Sequence, residues 1–283
     1  LMEISHVLRA DEWLSSTPRH VLLYQALGFQ PPQFAHLPMI LGPDRSKLSK
    51  RHGAAAITEY REQGYLPEAM FNFLVLLGWA LDDKTELMTR EEIIKYFSLE
   101  RISRTAAVFN KDKLDWMNGV YIRSLSREEF VQRAIPFLEK GLPVEISRPL
   151  DVGYVHQFMP LVQERARTLA EVPQLSDFFF IDELEYDTRL LLSKIDKAEA
   201  IKGLQASVVS MDNLKDWSTA SLEAVFRPLA EELELKTSVF FGLLRMAVTG
   251  RTAAPPLFQT MEVLGKERCL KRLKVALDKL AVF

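Results

Sequence analysis

The sequence predicts a mostly α-helical protein that opens on a short remnant of an α/β domain. Three observations carry this. Residues 1 to about 52 alternate short apolar runs with turns, in the order strand, helix, strand. From about residue 54 the apolar positions fall at helical spacing and helix-start signals recur. After residue 60 almost no alternating β-branched run appears, so a long helical array is expected.

The first apolar runs are "ISHVL" and "FAHLPMIL", which suit strands. Between them Pro18 to Leu27 suits a helix, with proline near its first turn and Gly28 just past its end. Such a βαβ fragment is too short for a whole α/β domain. Next, "GPDRSKLSKRHG" reads as a loop leading into a helix. "YLPEAMFNFLVLLGW" starts a helix at Pro67 and is apolar on most faces, as a buried helix would be. Thr89 with Glu92 forms a capping box, and Ser126 with Glu129 repeats the device before a helix that Pro136 interrupts. Five further helical stretches follow to the end of the chain. Joints are expected near Gly53, near Ser124 to Arg127, and near Pro173 to Asp182.

Composition bounds the function. The 283 residues suffice for two or more domains, and 48% apolar content supports a sizeable core. With 36 basic against 38 acidic residues, contact with a polyanion has to come from local patches. The one cysteine, Cys269, excludes an internal disulfide and a cysteine-based zinc site within this chain, which suits a cytoplasmic setting. No apolar run approaches the roughly 18 residues of a membrane span. The first residues lack the apolar segment of a signal peptide, and opening on a strand-like run fits an internal boundary. A monomer is expected.

The densest patch is "LGPDRSKLSKRHGAAAI". It sets Arg45, Lys47, Lys50, Arg51 and His52 around Ser46 and Ser49, with Asp44 as the only acid. Lysines on either side of a small residue, in a loop before a helix, form a polyphosphate site that stabilises developing negative charge. A solvated charged loop is the other reading of the same residues.

The string "KLSKR" at 47–51 resembles the KMSKS-type signature loop of class I aminoacyl-tRNA synthetases. Its surroundings resemble the glutamyl-tRNA synthetases of bacterial type. The matching segments are "ISHVLRADEWLSSTPRHVLLYQALG", "HLPMILGPDRSKLSKRHG", "GYLPEAMFNFLVLLGW", "VFNKDKLDWMNGVYIRSL" and "VFFGLLRMAVTGRTAAPPLFQTMEVLGKERCLKRL". They run in order over essentially the whole chain. The resemblance implies the C-terminal part of a Rossmann-type catalytic domain at 1–53. It implies a helical stem-contact domain at 54–126 and two helical anticodon-binding subdomains at 127–178 and 179–283. The implied activity is ATP-dependent, AMP-forming ligation of glutamate to its tRNA, with ATP and Mg2+ as the cofactors and no zinc.

By the same resemblance Lys47 and Lys50 hold the ATP phosphates and stabilise the adenylate-forming transition state, and Ser49 shapes the loop. Met39 and Ile40 flank adenine, or are plain strand core. Glu12 and Trp13 line the ATP pocket, where "RADEWL" departs from the "RGEDHL" of many relatives. Arg9 pairs with the glutamate carboxylate, a task suited to a planar fork of donors. A structural pair with Asp11 is the alternative. Arg165 and Arg167, at the end of an amphipathic helix, are candidates for reading an anticodon base, against surface pairing with Glu164 or Glu171. Arg251, at the tip of "VTGRTAAPP", and the basic helix "GKERCLKRLK" are further tRNA candidates, weighed evenly with a solvated face. Lys111, Lys113 and Arg123 are candidates for the tRNA backbone, while the aromatics of "KLDWMNGVYIR" read as core.

None of the five histidines, His6, His20, His36, His52 and His156, sits in an H-x-G-H arrangement. A class I synthetase uses that second signature, so the expectation is that this chain alone is inactive and keeps tRNA affinity. A stand-alone helical tRNA-binding or interaction module is the alternative. The partner is tRNA for glutamate, with tRNA for glutamine left open. Eukaryote-like glutaminyl enzymes end in β-barrels, whereas this C-terminus reads helical.

Overall fold

The computed structural model describes residues 2–49 and 56–283. The chain divides into two compact units, Leu1–Ser124 and Leu125–Phe283. Most described residues are helical, and the one sheet among them has two strands.

In the first unit β1 (His6–Ala10) and β2 (Gln33–Leu37) pair in parallel, with His6 opposite Gln33 and Ala10 opposite Leu37. Parallel pairing demands a crossover. A 3-10 turn, Asp11–Ser16, and helix α1 (Thr17–Ala26) supply it. Pro18 stands in the first turn of α1, where its missing N–H costs nothing. The chain leaves α1 through Gly28 at φ 71°, a conformation that favours glycine. β2 ends before Pro38, short of the run to Leu41, because proline has no N–H for the ladder. α1 buries none of its residues; Leu22, Leu23 and Leu27 are each more than half exposed.

The described part of the basic loop opens with a tight turn. Leu41 bridges Lys47 antiparallel and Val108 in parallel, so the segment doubles back as a tight turn. Gly42 N–H donates to Ser46 O, and Arg45 takes φ 60°. Asp44, the loop's only acid, is spent on this turn: its Oδ1 accepts from Ser46 N and Oγ.

The helices of this unit are α2 (Ile57–Glu62), α3 (Pro67–Leu76), α4 (Arg90–Tyr96) and α5 (Lys111–Ser124). Tyr60, Tyr65, Phe73, Phe109, Leu114 and Met117 meet in one core, and Trp79, Met88 and Ile93 in a second. Two buried amides tie the helices. Asn118 Oδ1 accepts from Leu66 N at 2.8 Å, and Asn72 Oδ1 from Met88 N at 3.0 Å. The Thr89–Glu92 capping box is formed in both directions.

The second unit holds α6 (Arg127–Gly141), α7 (Val152–Gln163), α8 (Val172–Ser176), α9 (Lys197–Asn213), α10 (Thr219–Glu232), α11 (Thr237–Thr249), α12 (Leu257–Leu264) and α13 (Lys266–Val282). Ser126 caps α6 through Glu129 N, while the Glu129 carboxylate pairs with Arg133 at 2.5 Å. Pro136 does not interrupt α6. Phe130, Val131 and Ala134 before it and Leu138 after it are all buried, and that packing keeps the two halves in line. The stretch expected to be a joint near Pro173 to Asp182 is packed: Phe178 and Phe179 are buried, and Phe179 stacks on Phe158 at 4.6 Å.

Candidate functional site

In open sheets with parallel strands, ligands bind beyond the carboxyl ends of the strands, where successive loops splay apart. Here a cavity of about 530 Å3 lies in that position. β1 ends by presenting Arg9, the following 3-10 turn presents Glu12, and the chain beyond β2 presents Met39 and Ile40. The turn built on Leu41 brings Lys47 back to the same wall. Five of the candidates named from the sequence, far apart in the chain, therefore converge.

Lys47 Nζ donates to Glu12 Oε2 at 2.5 Å. Both side chains are well exposed, at 62% and 45%, so water screens the pair and it contributes at most about 1 kcal/mol. Glu12 thus occupies the lysine rather than standing as an independent ligand group. The Arg9 guanidinium is held by neutral partners. Its Nε donates to His36 Nε2 at 3.2 Å, Nη1 meets His20 Nδ1 at 3.2 Å, and Nη2 donates to Thr17 Oγ1 at 2.7 Å. It lies over Phe34 at 5.2 Å and Trp13 at 5.9 Å. A guanidinium only donates, so both histidines accept from it, which fixes their ring tautomers. The alternative pairing with Asp11 is not formed, and Arg9 has no carboxylate partner among the described residues. Its charge is left available to an anion. Trp13, half exposed, walls Arg9 rather than the cavity. Ser49 follows the turn and does not line the cavity. Lys50, with Arg51 and His52, lies outside the described residues.

The second set of candidates lies in the second unit. α7 ends at Gln163, so Arg165 and Arg167 stand on the turn after the helix rather than on it. Both are exposed and flank buried Ala166. The Arg167 amide donates to Glu171 Oε2. Burial, then repulsion from Arg165, pull Arg245 of α11 below the usual arginine value. Arg245 Nε is buried without a hydrogen-bond partner. A guanidinium whose Nε is buried without a partner, within electrostatic reach of a second, is a candidate group for an anion or a base edge. Sequence reasoning missed Arg245. The signal was there, since in "VFFGLLRMAVTG" it is a lone charge on an apolar helix with no acid at i±3 or i±4.

Other candidates are engaged within the fold. Arg251 is not a free loop tip: it pairs with Asp177 at 2.5 Å, donates to Gln174 O, and lies over Phe178 at 5.4 Å. Burial raises the Asp177 pKa despite this neighbour. Lys113 pairs with Glu86 at 2.7 Å, and Lys111 pairs with Asp115 at 2.9 Å. Arg123 is exposed in the last turn of α5. Trp116, expected in the core, is 46% exposed, because α5 buries the face of Leu114, Met117 and Asn118 instead. Tyr121 is half-buried and donates to Met88 O.

The basic helix α13 turns much of its charge inward. Arg272 is buried and donates to Val248 O, Phe178 O and Ile181 O. Arg268 donates to Phe179 O, and Lys279 to Leu184 O. Lys271 and Lys274 stay exposed. Among the described residues no cluster of three or more His, Cys, Asp or Glu could hold a metal ion. Among them, too, no helix is long and apolar enough to cross a membrane.

Comparison with known proteins gives the family. Residues 129–277 match the family model described as an anticodon binding domain. Residues 1–116 match the catalytic domain of class I tRNA synthetases (E and Q). A glutamate–tRNA ligase of Dehalococcoides mccartyi (strain CBDB1) is 56% identical over 281 residues, covering 99% of this chain and 58% of the relative. One from Roseiflexus castenholzii is 49% identical, covering 99% and 56%. The crystal structure of a glutamate tRNA ligase from Elizabethkingia meningosepticum, in complex with its amino acid, superposes with a TM-score of 0.83 at 30% identity. That match covers 99% of this chain and 58% of the other. The chain spans somewhat more than half the length of the curated relatives it matches.

Proposed function

The chain belongs to the glutamate–tRNA ligase family, with its anticodon binding domain and part of a class I catalytic domain, and from that premise we propose that it serves ATP-dependent ligation of glutamate to tRNA. The observation that carries the reading is the convergence of Arg9, Met39, Ile40 and Lys47 on one cavity at the carboxyl ends of two parallel strands. In this reading Met39 and Ile40 flank the adenine, and Trp13 supports the glutamate side through Arg9. Lys47, with Lys50, holds the phosphates once ATP draws it away from Glu12, and Ser49 shapes the approach. Mg2+ would be held by the ATP phosphates and would offset their charge beside Lys47. The uncompensated guanidinium of Arg9 takes a glutamate carboxylate. A preorganised cation at developing negative charge stabilises the adenylate-forming transition state.

Residues 54–126 approach the tRNA stem, with Arg123 and Lys113 toward its backbone. Residues 127–178 and 179–283 approach the anticodon. There Arg165 and Arg245 face the bases, with Arg167 beside them, and Arg251 supports the site through Asp177. A chain of this kind works in the cytoplasm as a monomer.

The test is binding of the chain to transcripts of glutamate and glutamine tRNA, native and anticodon-substituted, at two salt concentrations. Expected is tight binding to the glutamate transcript that anticodon substitution weakens by about tenfold or more. Binding equal for all sequences and abolished by salt would sink the anticodon assignment. Failure of ATP to protect the cavity from hydrogen exchange would sink the nucleotide assignment.

A further inference from the structure

Arg272 is a buried cation that the proposed reaction does not use. It sits 3% exposed on α13 with no acidic hydrogen-bond partner. Such a charge is costly unless every polar group around it is turned toward it. The structure meets that condition with carbonyls at the two terminal nitrogens, while Nε is buried without a hydrogen-bond partner. Nη1 donates to Val248 O at 2.6 Å, and Nη2 donates to Phe178 O at 2.7 Å and Ile181 O at 2.5 Å.

Val248 is in the last turn of α11. Carbonyls there have no partner within the helix and form its partly negative end. Arg272 therefore caps α11 from another helix, while also fastening the strap at 178–181. Thr249 completes the fixation, its Oγ1 donating to Arg245 O at 2.7 Å. One turn earlier on α13, Arg268 donates to Phe179 O at 2.6 Å, and Tyr154 of α7 donates to the same carbonyl at 2.9 Å. α13 thus ties the strap to α11, which carries Arg245, and to α7, which leads to Arg165.

We propose that Arg272 is a positioning residue for anticodon discrimination: it sets the last turn of α11 and with it the placing of Arg245. The inference rests on the anticodon reading given above. It makes discrimination depend on a side chain that does not itself touch the RNA. A lysine at this position keeps the charge but cannot fork to α11 and the strap together.

The experiment measures the ratio of dissociation constants for native and anticodon-substituted glutamate tRNA transcripts with the whole chain. Arg272→Lys is expected to lower that ratio by about tenfold, the value of one good base contact. In an Arg245→Ala background the same change is expected to do nothing further to the ratio. Equal weakening toward both transcripts, with the ratio intact, would overturn the proposal and leave Arg272 a purely structural group. Should Arg272→Lys fail to fold, Thr249→Val loosens the same turn more gently, and an unchanged ratio there overturns the proposal equally. A wild-type chain that binds tRNA without anticodon preference overturns both this and the reading beneath it. A wild-type chain with preference that neither variant alters overturns this inference alone.

Discussion

Arg9 and Arg272 are each held by neutral acceptors rather than by a carboxylate, in two regions that use this differently. Around Arg9 the acceptors are side chains, His36, His20 and Thr17, on an open cavity wall. Around Arg272 they are backbone carbonyls from two remote segments, with solvent excluded. A guanidinium facing a cavity with its charge unanswered is poised for an anion. One whose terminal nitrogens are sunk among carbonyls has those donors committed and works as a fastener. The absence of an acid thus does not by itself mark a binding site; access to the cation decides.

The comparison is broken most directly by Arg272→Met. Removing the fork leaves carbonyls buried without donors, each costing about 1–3 kcal/mol, so a loss of about 3 kcal/mol or more is expected in urea unfolding. Unchanged stability would show that the carbonyls find other partners. A pH titration sharpens the same region. Burial pushes the Cys269 thiol, beside Arg272, from 9.0 up to about 12, while Arg272 and Arg268 pull it the other way. The raised folded value means the stabilisation is present below pH 9 and is lost as pH rises from about 9 toward 12. Cys269→Ala is expected to flatten that part of the alkaline slope, and an identical slope in the variant would rule the thiol out.

Arg9→Leu should behave oppositely to Arg272→Met. Its unfolding free energy should change by less than about 1 kcal/mol, while glutamate binding measured calorimetrically falls by about tenfold or more. A large stability loss with binding intact would make Arg9 a fastener too. The smallest effect is expected of Glu12→Gln. It frees Lys47 from an exposed pair worth at most about 1 kcal/mol, so ATP affinity should rise by no more than about fivefold, and less at high salt. A fall in ATP affinity would instead give Glu12 a direct part in holding the nucleotide.

Much of this was legible in the residues. Pro18, Gly28, Pro67 and the Thr89–Glu92 pair act on backbone groups within a few positions, so the starts and ends they mark appear where the sequence puts them. The exposed apolar residues of α1 were also foreseeable from a βαβ unit too short to cover itself. Pro136 misled because the packing that carries α6 through a proline comes from other helices. Trp116 misled because only the tertiary contacts choose which face of α5 is inward.

The sequence by itself determined the helical class, the βαβ opening, the basic loop and the family, since these rest on local hydrogen bonding, periodicity and contiguous motifs. Tertiary structure decided which charges remain available. "GKERCLKRLK" looks like a basic face for RNA, yet Arg268 and Arg272 are committed inward, and Arg245, lost in an apolar helix, has its Nε buried without a partner. The acceptors that claim a long cationic side chain are carbonyls dozens of residues away, and nothing in the spacing of the residues on one helix records where those carbonyls will lie.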